Sequence, residues 1–184
     1  MVLTRTPICN FGEKAKNFNL LSTENKKITL SNVKGENGTL IMFICNHCPY
    51  VKAIIKDLVD DVKFLEDLGV KSAGIMSNDV KNYPEDSFEN MISFSKLHDF
   101  SFPYLIDEKQ NVAKEYGAVC TPDFFGYNKN LELQYRGRIR ELKDLKPVRE
   151  GDSDLKIAMK LVAETGKGPK DQIPSMGCNI KWFK

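Results

Sequence analysis

After its threonine, the run Thr39-Leu40-Ile41-Met42-Phe43-Ile44 is apolar at every position, and it leads straight into Cys45-Asn46-His47-Cys48-Pro49. A half-exposed strand alternates, whereas an unbroken apolar run reads as a strand covered on both faces. Behind Pro49, apolar residues at Val51, Ile54, Ile55, Leu58, Val62 and Leu65 repeat with the spacing of one helix face. Gly69 then offers a helix stop, and 70–76 is the next strand. Strand, helix and strand predict a right-handed crossover with parallel strands. This unit commits the chain to an α/β fold and puts Cys45 and Cys48 on a strand-to-helix turn. Unpaired N–H groups and the positive end of the helix dipole favour a thiolate there.

The remaining signals are shorter. Phe18–Leu21 and Lys27–Leu30 read as an N-terminal hairpin across a polar turn, and 34–38 as a loop. The stretch 78–86 is polar and turn-rich, and Phe88, Met91, Ile92 and Ser95 mark an inserted helix that His98 caps. Pro103–Ile106 is a short strand, with Asp107 as N-cap of a helix over 111–116 closed by Gly117. Residues 123–127 and 131–135 form a hairpin, and Leu155, Ala158, Met159 and Val162 a last helix capped by Asp152 or Ser153 and stopped by Gly166. The expected organisation is one domain over 1–184, with a core of about 10–166 and a tail, 167–184.

Composition excludes several classes. The 27 basic and 25 acidic residues are interspersed, leaving a net charge of +2 and no basic face for nucleic acid. No segment approaches the roughly 20 apolar residues of a membrane span. Met1–Lys14 lacks the apolar stretch of a secretory signal, so the expectation is a soluble cytoplasmic protein. The five cysteines, Cys9, Cys45, Cys48, Cys120 and Cys178, are an odd count that points to reduced thiols with one redox pair rather than a disulfide scaffold. A zinc or cluster site wants a second Cys pair or a His pair, and the histidines are only His47 and His98. No metal and no cofactor is therefore expected.

The second chemical signal is Val119-Cys120-Thr121-Pro122-Asp123-Phe124-Phe125. Pro122 is either a strand-start proline or a cis proline; its place about seventy residues beyond Cys48 favours the cis reading. Together with Phe43–Lys52 around the cysteine pair and the closing Gly177-Cys178-Asn179-Ile180-Lys181-Trp182, it makes the sequence resemble the redoxin family (alkyl hydroperoxide reductase/thiol-specific antioxidant) over roughly residues 10–182. The resemblance implies a thioredoxin-like fold: a central mixed β-sheet flanked by helices, here with an N-terminal β-hairpin and an inserted helix. It also implies that the Thr121 backbone before Pro122 faces the dithiol and pairs with substrate.

In that layout Cys45 is the more exposed sulfur and the nucleophile, and Cys48 the resolving thiol. A thiol of pKa near 8.5 is only about 3% ionised at pH 7, so activation must come from the helix N-terminus and from His47, which resembles the histidine of strongly oxidising C-x-H-C pairs. The expected partners are protein or small-molecule disulfides and a thiol electron donor. Three alternatives stand beside thiol–disulfide exchange. One is a peroxidase acting on hydroperoxides through Cys48, although Ile41 and Cys45 stand where peroxidatic members carry Pro and Thr, and no arginine lies near Cys120 and Thr121. Another is a copper-binding protein using Cys45, Cys48 and His47, and the last an interaction module without turnover. No acid lies on 39–44 to take the Cys48 proton. Cys120 reads as a small buried side chain or a third thiol, Cys178 as a packing residue or an extra resolving thiol, and Cys9 as inert.

Overall fold

In the computed structural model, which describes residues 2–7 and 10–184, the elements in chain order begin with β1 (Leu3–Arg5), β2 (Asn19–Ser22), β3 (Lys27–Thr29) and α1 (Leu30–Val33). The crossover unit follows as β4 (Gly38–Phe43), α2 (Pro49–Asp67) and β5 (Val70–Met76). A single 3-10 turn, Pro84–Asp86, leads into α3 (Phe88–Leu97), β6 (Tyr104–Ile106) and α4 (Asn111–Tyr116). Then come β7 (Cys120–Thr121), β8 (Asp123–Asn128), β9 (Leu133–Tyr135), β10 (Leu142–Lys143), β11 (Lys146–Pro147), α5 (Asp154–Thr165) and β12 (Met176–Asn179). Cys9 lies outside the described residues.

Seven strands form the central sheet in the order β3-β2-β6-β5-β4-β8-β9. β4 and β5 run parallel across α2, as the sequence predicts, and β5 and β6 are parallel too. The β8 and β9 strands and the N-terminal hairpin run antiparallel to their neighbours, so the sheet is mixed. Because successive strand residues face opposite sides, β4 supplies two cores. Leu40, Met42 and Ile44 pack on the side of α2, α3 and α5, while Ile41 and Phe43 pack with Leu30, Val112 and Tyr116 of the opposite layer. Both faces of β4 are thus covered, which is why its sequence shows no alternation. Among the described residues, no helix is long and apolar enough to cross a membrane.

Local chemistry sets most element ends. Ser153 rather than Asp152 caps α5, its hydroxyl accepting from the Lys156 N–H at 2.9 Å. Gly117 and Gly166 close their helices in the left-handed region. Asp107 is not the formal N-cap of α4; Gln110 is, at φ 59°, while the Asp107 carboxylate accepts from the N–H groups of Val112 at 3.3 Å and Ala113 at 2.9 Å. Leu30, read as strand from its apolar neighbours, instead opens a one-turn helix inside a Thr29–Asn32 capping box.

The larger difference lies at the chain ends. Within the expected tail, residues 176–179 form β12, the middle of a second sheet of order β1-β12-β7. β12, Met-Gly-Cys-Asn, carries neither the alternation nor the β-branched residues that announce a strand, and β1 is only three residues long; both are held by neighbours distant in sequence.

The α2 helix is anchored by Val51, Ile54, Leu58, Val62 and Leu65, all at most 2% exposed. Leu58→Ala should cost about 2–5 kcal/mol in denaturant unfolding, as expected for an unfilled core cavity. A change under about 0.5 kcal/mol would mean that α2 is not seated as described.

Candidate functional site

The chain turns from β4 into α2 through Cys45-Asn46-His47-Cys48. Cys48 is the N-cap residue of α2, and Pro49 occupies the first helical position, where a missing N–H leaves no gap in the helix. Across from this turn lies the loop between β7 and β8, with Thr121-Pro122 in a cis peptide bond. Buried Asp123 braces the loop: its carboxylate takes the Arg136 Nη2 at 3.1 Å and the Val119 N–H at 3.2 Å.

Sulfur atoms meet between these two loops. Cys45 Sγ lies 3.4 Å from Thr121 Oγ1, and Cys48 Sγ lies 3.2 Å from the Thr121 carbonyl oxygen. The Cys45 thiol is also hydrogen-bonded to Cys48. A third sulfur completes the group, since Cys178 of β12 brings its Sγ to 2.8 Å from that of Cys48. Cys120 is buried and turns its thiol to the Pro122 carbonyl at 3.6 Å.

On the other side of Cys45 stands an ion pair. His47 Nδ1 lies 2.6 Å from Asp86 Oδ2 and 4.0 Å from Cys45 Sγ. Asp86, from the 3-10 turn, is fully buried and further accepts from Asn78 Nδ2 at 2.8 Å, the Asn46 N–H at 2.8 Å and the His47 N–H at 3.3 Å. Tyr104 fixes the Asn46 side chain with its hydroxyl at 2.9 Å. The imidazole stacks on Tyr83 with ring planes 11° apart, and Lys181 Nζ stands 5.7 Å from the centre of that ring.

These contacts divide the protons. The bond to Asp86 raises the His47 pKa against the effect of burial. Burial pushes Asp86 up, but its bonds to His47 and Asn78 prevail and hold it below the usual carboxylate range. Cys48 is drawn down to about 5, first by the hydrogen bond from Cys45, against burial, with Cys178 and the Val51 N–H of α2 adding to it. Cys45 is held well above an ordinary thiol by that same bond, by burial and by the charge of Asp86. Burial and the bond to Cys48 push Cys178 up to about 12. These contacts favour the anion at Cys48 over Cys45 and Cys178.

Neither cysteine of the pair is open to solvent: Cys45 is 1% exposed and Cys48 0%. The hydrogen bond between the two thiols, moreover, lowers Cys48 and raises Cys45, a bias opposite to an anion resting on Cys45. A cavity of about 270 Å³ lies along Tyr50, Pro122, Ser175 and Met176, and neither cysteine of the pair lines it. Asp86 is the site residue that sequence reading missed. It sits in a polar turn, and nothing local distinguishes it from an ordinary loop acid.

Ligand atoms of Cys45, His47 and Asp86 all lie within 4.8 Å of one another and could together face a cation. Asp86 already receives four hydrogen bonds, His47 among them, so this donor set is committed to holding the imidazole.

Residues 11–142 match the AhpC/TSA family, and the chain belongs to it. Its fold is thioredoxin-like. No curated protein matches the chain. Among solved structures, an uncharacterized conserved protein from Geobacillus kaustophilus superposes with TM-score 0.94 at 37% identity, over 100% of this chain and 97% of that one. A hypothetical protein from Sinorhizobium meliloti gives TM-score 0.90 at 34% identity, over 98% of each chain. The thioredoxin domain of a thiol-disulfide oxidoreductase from Bacteroides vulgatus shares the fold at TM-score 0.59 and 13% identity, over 70% of this chain and 89% of that one.

The ion pair has a definite pH signature. His47, raised above 6.5, contributes stability that is complete below 6.5 and lost as pH climbs through its folded value. Asp86, lowered from 3.8, contributes stability present above 3.8 and lost as pH falls through its folded value. The stabilisation from the pair should therefore be greatest between pH 3.8 and 6.5. Asp86→Asn should flatten that profile and lower the His47 pKa read from its ring-proton NMR titration. An unchanged His47 titration would contradict the pairing.

Proposed function

We propose that the chain is a thiol–disulfide oxidoreductase that exchanges disulfides through Cys45 and Cys48. The observation that carries the reading is the geometry of the pair: Cys45 and Cys48 stand at the turn into α2, hydrogen-bonded to each other and both facing Thr121 of the cis Thr121-Pro122 loop. Passing the Cys45 proton to Cys48 moves the charge to Cys45, which lies beside His47, itself only partly covered. The Cys45 thiolate attacks one sulfur of a substrate disulfide and expels the other as a thiolate. Cys48 gives its proton to the expelled substrate thiolate, attacks Cys45 Sγ, releases the second substrate sulfur as a thiolate and leaves the Cys45–Cys48 disulfide. A thiol donor reverses these steps and restores the dithiol. Imidazolium at His47 stabilises the charge while it sits on Cys45, and Asp86 keeps the ring charged and aimed.

Thr121 and Pro122 hold the opposite wall, the Thr121 hydroxyl donating to Cys45 when it is ionised. Cytoplasmic work on protein or small-molecule disulfides, with a thiol electron donor, belongs to the same reading.

One observation favours a second reading. Sulfurs at 1% and 0% exposure are more easily reached by a small oxidant than by a polypeptide. In that case the Cys48 thiolate attacks the terminal hydroperoxide oxygen, the O–O bond breaks, the departing alkoxide or hydroxide takes a proton from solvent, and Cys48 becomes a sulfenic acid. Cys45 condenses with it, releasing water and forming the same disulfide.

Reduction of a protein disulfide by dithiothreitol should be accelerated by the wild-type chain, and should fall to the uncatalysed rate with Cys45→Ser or Cys48→Ser. No acceleration, together with hydrogen peroxide consumption that Cys45→Ser retains for one turnover and Cys48→Ser abolishes, would replace the first reading by the second.

A further inference from the structure

The exchange reading gives no part to the third sulfur, yet the chain takes pains to place it. β12 lies antiparallel on β7, with Cys178 opposite Thr121 and Asn179 opposite Cys120. Gly177 makes that approach possible: a Cβ there would stand 2.1 Å from the Thr121 carbonyl oxygen and 2.7 Å from its carbon. Ser175 donates from its hydroxyl to the Pro122 carbonyl at 2.7 Å. Farther on, the Lys181 N–H donates to Asn78 Oδ1 at 2.9 Å, and Gln110 Nε2 donates to the Lys181 carbonyl at 2.8 Å. Cys178 is 1% exposed and faces Cys48 from a strand fixed on both sides of it.

An extended segment laid on a strand edge is how sheets bind peptides: main-chain hydrogen bonds hold the segment, and its side chains reach the pockets beside the edge. Here the edge is β7, the pocket is the dithiol, and the segment belongs to the protein itself. We propose that Cys178 is a third redox thiol, and that the Cys45–Cys48 disulfide rearranges within the chain to Cys48–Cys178, with the 175–182 segment seated as an internal substrate.

The step balances without any outside reagent. The Cys178 sulfur attacks Cys48 Sγ, the Cys45–Cys48 bond breaks, and Cys45 leaves with the electron pair and takes up the proton that Cys178 gives up. One disulfide is lost and one is made. The starting separation of 2.8 Å compares with about 2.05 Å for a sulfur–sulfur bond. The hydrogen bond to Cys48 and the charge there are two of the three largest causes that raise Cys178, and both vanish once Cys48 is bonded to Cys45. Cys178 thus becomes a better nucleophile when there is a disulfide to attack. The product returns Cys45 as a thiol and clips the tail across the site.

This inference rests on the Cys45–Cys48 reading, and one experiment separates the two. The full-length reduced chain is oxidised with diamide, quenched in acid, cleaved after lysine and mapped by mass spectrometry. Cys45 and Cys48 share the peptide 35–52, and Cys178 lies in 171–181. The wild type should yield both the internally bridged 35–52 and the 35–52/171–181 cross-link. Cys45→Ser should yield only the cross-link, and Cys178→Ser only the internal bridge. Gly177→Ala, which cannot seat β12, should lose the cross-link and keep the bridge. An internal bridge with no cross-link in the wild type or in Cys45→Ser overturns the proposal. A cross-link with no internal bridge would instead overturn the Cys45–Cys48 reading and leave Cys178 as the redox partner of Cys48. Neither species would overturn both.

Discussion

A sulfur anion shut away from water has to be solvated by the protein, and most of this site follows from that requirement. Cys48 is fully buried, so burial by itself works to keep it protonated. What reverses that is a set of donors converging on one atom: the thiols of Cys45 and Cys178 and the Val51 N–H at the start of α2. Each comes from a different part of the chain. The donor from α2 exists because β4 and β5 are parallel, which demands a crossover helix and starts it at Cys48. The donor from Cys178 exists because β12 lies on β7. When Cys48 is protonated, its S–H can turn to the Thr121 carbonyl instead, so the cluster has a resting place for either protonation state.

The His47–Asp86 pair works on the neighbouring sulfur in two opposing ways. The Asp86 charge raises Cys45, keeping a proton there to be shared with Cys48. The His47 ring, whose pKa Asp86 raises, stands 4.0 Å from Cys45 and when protonated favours the anion there. The contacts thereby favour the charge on Cys48 at rest and support it on Cys45 once the proton has moved. Asn78 joins this pair to the tail, since its side chain donates to Asp86 and accepts from Lys181. Covering the site and setting its electrostatics are therefore linked through one residue.

The elements with strong local signals were legible in the sequence. Thr39–Ile44 announced a two-faced strand, and the periodicity from Val51 to Leu65 announced α2 and so the position of Cys45 and Cys48. The Thr121-Pro122 dipeptide identified the opposing wall. What was not legible depends on partners distant in sequence. β12 is Met-Gly-Cys-Asn, a stretch with no strand propensity that is a strand because Thr121 and Leu3 flank it. Asp86 gains its role only when the 3-10 turn packs against the cysteine loop. The contacts that bias the anion toward Cys48 were equally out of view. The turn showed which helix end was near, but not which sulfur the helix donors and the Cys178 thiol would reach.

The central claim is that the reduced site holds its negative charge on Cys48. Thiolate ultraviolet absorbance of the reduced chain, titrated from acid to alkaline pH, tests it most directly. A thiolate that appears with a midpoint of about 5, persists in Cys120→Ser and is absent in Cys48→Ser is the predicted result. A reduced chain with no thiolate until the pH nears 9, the ordinary range of an unperturbed cysteine, would contradict it.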